Sequence, residues 1–425
     1  MIFVPYVPYL PREENTLSDF AFYFVFLGLV LYLFISGSLL VTWEIPYDIP
    51  GGSPFSKFHP GTYCIAIGFV LSVIGKRSGR SSRSWTTMLW FTSSTVIAAI
   101  YVLIRFGPNG SGFLVDTLIA PGLLGTVLLA SSPEQQRYTF RFMVVVLFFN
   151  AIIGILEVIT QARVIPYLVD GEPMVEEYFR STAFGGHPLS NFQRTTQILL
   201  SALVYEDRRQ FFLIPVFYLG LLAFGSRTAF LVATVLLVVW VLQKFFSDLI
   251  LRKLDIRLMF FLILGAAAVV GLIALVISQG SIGGRIFAEF YWDESAQARS
   301  SAFKAFSLLR LESFLFGGGP ELAESILDYL KSNHEDMAAI ENFWILLTLH
   351  LGVIPLLLFA PSMLAMIYRL AWGDALALKL SGLSFLILAS STNSLASKSQ
   401  SLALLVPMLI GARAELQFIE KSNSQ

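Results

Sequence analysis

The chain has 425 residues, of which 56% are hydrophobic and 14% charged, with a formal net charge of zero. That balance excludes an ordinary soluble assembly of domains and points to a polytopic membrane protein. Without net basic character or a charged tail, it gives no footing for nucleic-acid binding. The one cysteine, Cys64, excludes both an intrachain disulfide framework and a cysteine metal cluster.

The N-terminal stretch "MIFVPYVPYLPREENTLSD" is broken by prolines and lacks a basic region followed by a small-residue cleavage site, so no removable signal peptide is expected. A bilayer span takes about 20 mostly apolar residues. On that measure twelve spans are expected, near 20–42, 60–75, 85–104, 113–131, 139–160, 189–205, 211–225, 228–246, 257–278, 342–368, 375–392 and 400–412. The sixth carries Arg194 and Gln197, and the seventh and twelfth are short, so each of these three has a re-entrant alternative. The fold class is thus an all-α polytopic membrane protein of about 12 transmembrane helices. It forms one membrane-embedded domain over 1–425, with a long, partly helical periplasmic loop subregion at 279–341, between helices nine and ten.

Lysine and arginine in short loops set the orientation. Lys76, Arg77, Arg80 and Arg83 fall in one connection, and Lys244, Arg252, Lys253 and Arg257 in another; with alternating spans both face the same side. Arg208, Arg209, Arg369, Lys379 and both termini join them, which makes that side cytoplasmic. The opposite face receives the segment after the first span, residues 161–188, and the stretch 279–341. Loops longer than about 12–15 residues are usually functional or disordered. Within "RSSAFKAFSLLR", Arg299, Phe303, Phe306 and Arg310 fall within about 60° of one another on an α-helix, so a helix here would carry two cations on an aromatic stripe.

Three clusters meet on that face. "FRSTAFGGHPLSNFQR" supplies Arg180, His187, Asn191 and Arg194; the turn between spans seven and eight supplies Gly225, Ser226, Arg227 and Thr228; the third runs from Arg299 through "FLFGGGPE" to Glu341 and Asn342. Each has a plain structural reading. An arginine at a helix end snorkels to the interface, a histidine before proline sits in a turn, a glycine triplet such as Gly317–Gly319 marks a tight turn, and asparagine or an acid caps a helix. Their coincidence on one face is the stronger signal.

Guanidinium groups hold diphosphate oxygens through paired hydrogen bonds, and a low dielectric strengthens the contact. Arg227, Arg180 and Arg299, with Arg310 in reserve, form a clamp for a lipid-linked diphosphate on this reading. Glu341 or a nearby histidine accepts the proton of an incoming hydroxyl. Attack of a sugar hydroxyl on an anomeric carbon bearing a diphosphate leaving group suits that set, and needs neither metal nor cofactor if arginines stabilise the leaving charge. Small Gly225 leaves room for the headgroup, and Ser226 and Thr228 offer hydroxyl donors.

The order of these motifs resembles the O-antigen ligase and Wzy-type polysaccharide polymerase superfamily of bacterial inner membranes. "RSTAFGGHPLSN" precedes a span, "SRTA" follows a later one, Arg299, Phe303, Lys304, Gly317 and Gly319 stand at matching offsets, and "ENFWILLTLHLGVIP" keeps Asn342 and Gly352. Where that family has histidine before the asparagine, this chain has Glu341. The resemblance implies a metal-independent glycosyltransferase of the C-type membrane fold. It would act at the periplasmic face on undecaprenyl-diphosphate-linked oligosaccharide, within the bilayer and beside other polysaccharide assembly proteins. Glu341, Arg227 and Arg299 then take the catalytic roles; Arg180, His187, Asn191, Arg194, Ser226, Thr228, Arg310, Gly317, Gly319, His334 and Asn342 line the substrate. His334 is the alternative base to Glu341.

Ionisable groups inside spans cost about 2.5–3.5 kcal/mol at the helix centre and are functional candidates. Arg194, Asp116 and Glu157 qualify: Arg194 either extends the clamp or pairs internally with Glu157 or Asp116. His350 reads as a hydrogen-bonded core histidine, and His59 has no evident partner. A polymerase joining lipid-linked repeat units is the leading function, a ligase to lipid A core the second, and a sugar or anion transporter the rival from another class. A transporter should show inverted repeats and broken helices, which the sequence does not suggest.

Overall fold

The structure, a computed structural model, describes residues 16–47, 52–75, 82–107, 112–169, 172–174, 179–205, 209–250, 302–332, 340, 342–373, 375–391 and 398–424. The ninth expected span, 257–278, and much of both basic connections used for orientation lie outside them, as do the site residues Arg299, His334 and Glu341.

The described chain is helical. In order it forms α1 (Thr16–Phe34), α2 (Gly37–Thr42), α3 (Pro60–Ile74) and α4 (Arg83–Phe106). Next, α5 (Gly112–Leu114) runs through a π-helical turn at Val115–Ile119 into α6 (Ala120–Ala130), and α7 (Pro133–Thr160) follows. A two-residue antiparallel ladder, β1 (Leu168–Val169) with β2 (Glu172–Pro173), leads to α8 (Pro188–Ala202), α9 (Gln210–Phe224) and α10 (Arg227–Ile250). The remainder is a 3₁₀ turn at Phe303–Leu308, α11 (Leu311–Phe316), α12 (Gly319–Ser332), α13 (Phe343–Leu351), α14 (Val353–Ala371), α15 (Leu376–Ser390) and α16 (Ser401–Asn423).

These are the helices of a membrane protein. Among the described residues seven stretches are long and apolar enough to cross a bilayer: Thr16–Phe34, Arg83–Phe106, Gly112–Ala130, Pro133–Thr160, Arg227–Ser247, Val353–Ala371 and Ser401–Ser422. Pro60–Ile74, Gln210–Phe224 and Leu376–Ser390 are shorter apolar helices. Outward stripes at helical spacing, such as Phe20, Tyr23 and Leu27 on α1 or Leu231, Val235, Val238 and Leu242 on α10, present large apolar side chains to the surroundings.

Several boundaries follow from local chemistry. α7 opens on a full capping box, with Ser132 and Gln135 bonding each other's backbone and Pro133 in the first turn. Two helices start on the same dipeptide, His-Pro: His59 and His187 accept at Nδ1 from Gly61 N (3.0 Å) and Leu189 N (3.1 Å), and Pro60 and Pro188 begin α3 and α8. Proline at the first helical position lacks the amide that would otherwise go unpaired, and the histidine ring satisfies the next.

α1 lies along α3 at a small-residue interface. A methyl on Gly28 would sit 2.7 Å from the Gly61 carbonyl oxygen, one on Gly61 would sit 2.6 Å from that of Gly28, and one on Gly68 2.7 Å from that of Ala21. Backbones approach this closely in membranes because lipid supplies no hydrophobic drive, leaving packing to hold helices together.

Two spans expected to be single helices are broken. The first stops at Phe34 and resumes as α2 after Ile35 and Ser36; the stretch 342–368 divides at Gly352, whose φ of +82° suits glycine. Residues 303–308 form a 3₁₀ turn rather than the expected α-helix. At about 120° per residue Arg310 leaves the Phe303 and Phe306 stripe and stands exposed ahead of α11.

α8 is the innermost helix. Every residue from Asn191 to Ala202 is buried, with α7, α9, α10, α15 and α16 packed around it. Contacts sort the bundle into two ends. At one, Glu415 takes Arg141 (2.7 Å) and Arg137 (3.2 Å), and Gln135 donates to Asp19 (3.1 Å). At the other gather Tyr47, His59, Asp116, His187 and Lys398.

Candidate functional site

The segment between α7 and α8 is held by one carboxylate. Glu157, near the end of α7, accepts at Oε2 from Ser181 Oγ (2.6 Å), Thr182 N (2.9 Å) and Ala183 N (2.9 Å), and at Oε1 from Val164 N (2.5 Å). It forms no ion pair with Arg194; it is a clasp for the loop. Asn191 completes the fastening: its Nδ2 donates to the Thr182 carbonyl and its Oδ1 accepts from Asn150 (3.1 Å). Asn150 in turn takes Phe184 N (3.0 Å). Asn191 is fully buried and supports the loop from beneath.

This fastening brings Arg180 to the turn between α9 and α10. Ser181 N donates to the Ala223 carbonyl (3.1 Å), and the aliphatic stem of Arg180 lies on Gly225, where an added methyl would sit 2.9 Å from Arg180 Cγ. Gly225 has φ +69° and ends α9 by donating to the Leu221 and Leu222 carbonyls. Ser226 and Arg227 follow at once, and the Ser226 carbonyl receives Phe230 N as α10 begins. Ser226, Arg227 and Thr228 are half-buried.

Tyr167 forms the floor beside them. The Arg180 guanidinium lies 5.6 Å from its ring centroid, that of Arg163 5.8 Å, and the His187 ring meets it edge-on at 5.1 Å, with Nε2 3.4 Å from the phenol oxygen. Arg163 also donates to the Arg180 carbonyl (3.1 Å) and lies over Phe179 (4.6 Å). Burial, reinforced by Arg180, lowers the His187 pKa from its usual 6.5 to about 4. The imidazole is therefore neutral at pH 7.

The structure thus unites the Arg180 and His187 segment with the Gly225–Thr228 turn, and adds Arg163 and Tyr167, which the sequence reading did not single out. The third cluster is different in kind. Gly317 (φ +75°) and Gly319 (φ +73°) bend the chain onto the α13–α14 junction: a methyl on Gly317 would sit 2.7 Å from Gly352 N, one on Gly319 3.0 Å from Phe106, and Gly318 N donates to the Leu349 carbonyl (2.9 Å). Asn342 caps α13 through Trp344 N (3.0 Å) and Ile345 N (3.1 Å) while donating to the Ser390 carbonyl (3.0 Å). Both glycines and the asparagine have packing or capping roles.

A second polar network lies at the same end of the bundle. Asp116, on the π-helical turn, accepts from Thr62 Oγ1 (2.6 Å), Tyr47 Oη (2.8 Å) and His59 N (3.0 Å). The His59 ring donates from Nε2 to the Ile35 carbonyl (2.8 Å), which the interruption after α1 leaves available, and Gln400 Nε2 donates to the same oxygen (3.2 Å). Gln400 Oε1 in turn accepts from Arg194. His59, without evident partners in sequence, is therefore a junction, and Arg194 forms no ion pair with Asp116 or Glu157. The Ser38 hydroxyl donates to the Gly186 carbonyl (3.1 Å), joining this network to the Arg180 loop. His350 packs edge-on against Phe113 (5.5 Å), and its Nδ1 has no hydrogen-bond partner.

Chemically, the Arg180–Arg227 cluster offers permanent cations, a neutral imidazole and a phenol around a glycine turn, a set suited to binding an oxyanion. Among the described residues no cluster of metal-ligating side chains occurs. No protein-family model matches this chain, and no curated protein matches it in sequence.

Proposed function

We propose that the protein is a polysaccharide polymerase of the bacterial inner membrane. It transfers glycan from an undecaprenyl-diphosphate carrier to a sugar hydroxyl of another lipid-linked repeat unit. The reading takes the chain as one domain of twelve spans, with both termini cytoplasmic and the Arg180–Arg227 end periplasmic. The observation that carries it is the seating of Arg180 on Gly225, two residues before Arg227. Two guanidinium-bearing segments far apart in sequence supply one glycine-lined turn, as a diphosphate clamp needs. Arg299 and Glu341 complete the chemistry in this proposal as leaving-group stabiliser and base, with His334 the alternative base. Ligation to lipid A core is the variant of the same chemistry.

The test is single substitution of Arg180, Arg227, Arg299 and Glu341 in cells lacking the native gene, scoring polymer length against protein level. Loss of long chains at normal protein level supports the clamp; unchanged polymer for all four refutes it. Supplying a second repeat unit or a lipid A core acceptor in vitro separates polymerase from ligase.

A transporter is the second reading, favoured by the helix interruptions at Ile35–Ser36 and Gly352 and by the use of the released Ile35 carbonyl as an acceptor. Solute uptake into proteoliposomes that is abolished by Arg227→Gln would favour it over glycan transfer.

A further inference from the structure

α8 is polar yet has no exposed face between Asn191 and Ala202. Residues three and seven apart share a helix face, so Arg194, Gln197 and Ser201 form one stripe. Ser201 Oγ meets Ser381 Oγ at 2.9 Å, and Ser381 Oγ also reaches the Gln197 carbonyl (3.2 Å), which turns the stripe toward α15. One turn nearer the start of α8, Arg194 Nη2 donates to Gln400, the residue preceding α16.

Between these fixed points polar atoms lack partners: Arg194 Nε and both Oε1 and Nε2 of Gln197. Arg194 is 3% exposed and Gln197 0%. Among the described residues Arg194 has no carboxylate at ion-pair distance, since Asp116 is committed to Thr62, Tyr47 and His59, and Glu157 to its loop. A guanidinium withdrawn from water without a counter-charge is costly, and so is an amide with neither end satisfied. α16, 23 residues long, begins at Ser401 beside Gln400, so its positive end adds to Arg194.

One kind of ligand answers both deficits. An oxyanion accepts from Arg194 Nε–H and Gln197 Nε2–H, and a hydroxyl on the same molecule donates to Gln197 Oε1. We infer that Arg194 and Gln197 form a buried oxyanion-binding site where α8 faces α15 and α16, taking a phosphoryl or carboxylate group, with preference for one that also carries a hydroxyl. The site stands on its own residues and holds whether or not the protein transfers glycans.

The test is a melting titration of the purified full-length protein at fixed ionic strength with inorganic phosphate and with glucuronate, and in nanodiscs with and without an alkyl phosphate lipid. A saturable rise in melting temperature is expected from at least one probe. Arg194→Gln should weaken it about tenfold or more and Gln197→Ala several-fold, as loss of charged and neutral hydrogen bonds dictates. Response to soluble probes identifies a free anion; response to the lipid alone identifies a headgroup. If Arg194→Gln does not fold, Gln197→Ala and the wild type carry the test. No rise with any probe overturns the inference. So does a rise unaltered in Gln197→Ala, or one lost in Arg180→Gln but retained in Arg194→Gln, which would locate the anion at the Arg180–Arg227 cluster and leave the clamp reading intact.

Discussion

The stem of Arg180 rests on Gly225, so closely that a methyl group there would sit 2.9 Å from Arg180 Cγ. Gly225 also holds φ +69°. Gly225→Ala therefore meets a steric and a conformational obstacle together, the second costing about 1–2 kcal/mol. Under the proposed glycan-transfer function, the expected outcome is a lower melting temperature and a loss of activity larger than that loss of stability explains, because Arg180 is displaced. Activity restored by lowering the assay temperature would show a stability effect alone.

Arg227→Lys keeps the charge and removes the planar fork. Normal expression and melting with activity reduced about tenfold or more are expected, one bidentate contact being worth upwards of 1.4 kcal/mol. Wild-type turnover in this variant would count against a paired contact to the leaving group.

The His187 ring has a pKa of about 4 in the folded chain against 6.5 for an ordinary histidine. Between those values the unfolded chain binds more protons than the folded one, so stability is complete above pH 6.5 and declines as pH falls toward 4. Protonation also costs the Nδ1 acceptor its bond from Leu189 N. His187→Asn retains a capping oxygen without the titration. Melting temperature plotted against pH should fall more steeply for wild type than for this variant below pH 6.5; parallel curves would contradict the assignment.

Glu157→Gln swaps one acceptor oxygen for an amide that must face N–H donors. With Val164, Ser181, Thr182 and Ala183 all directed at the carboxylate, about 3 kcal/mol of destabilisation is expected. Faster proteolysis between residues 161 and 183, ahead of any cleavage elsewhere, is the measurement that checks it.

Much of the helical frame was readable from apolar runs and from punctuation: His187-Pro188 and Gly225 mark real boundaries, whereas α7 begins at Pro133, ahead of the expected 139. The meeting of Arg180 with the Gly225 turn was legible as two polar motifs on one expected face, though not as a contact. Other features were not legible because they depend on partners distant in sequence. His59 draws its partners from Ile35 and Asp116, and Arg194 from Gln400, 206 positions away. Likewise, an apolar run such as 342–368 hides its break, since only packing against Gly317 requires Gly352 to turn there. Glu157 read as a buried charge in need of a cation because amide donors in a loop leave no trace in composition.

The Ile35 carbonyl has implications for biogenesis. Of its two donors His59 follows 24 positions later, whereas Gln400 is synthesised 365 positions downstream. The first hairpin therefore enters the bilayer with His59 as the carbonyl's donor and gains the second only when the segment carrying Gln400 arrives. Chains truncated before α16 should accordingly reach the membrane but remain substrates for quality-control proteases.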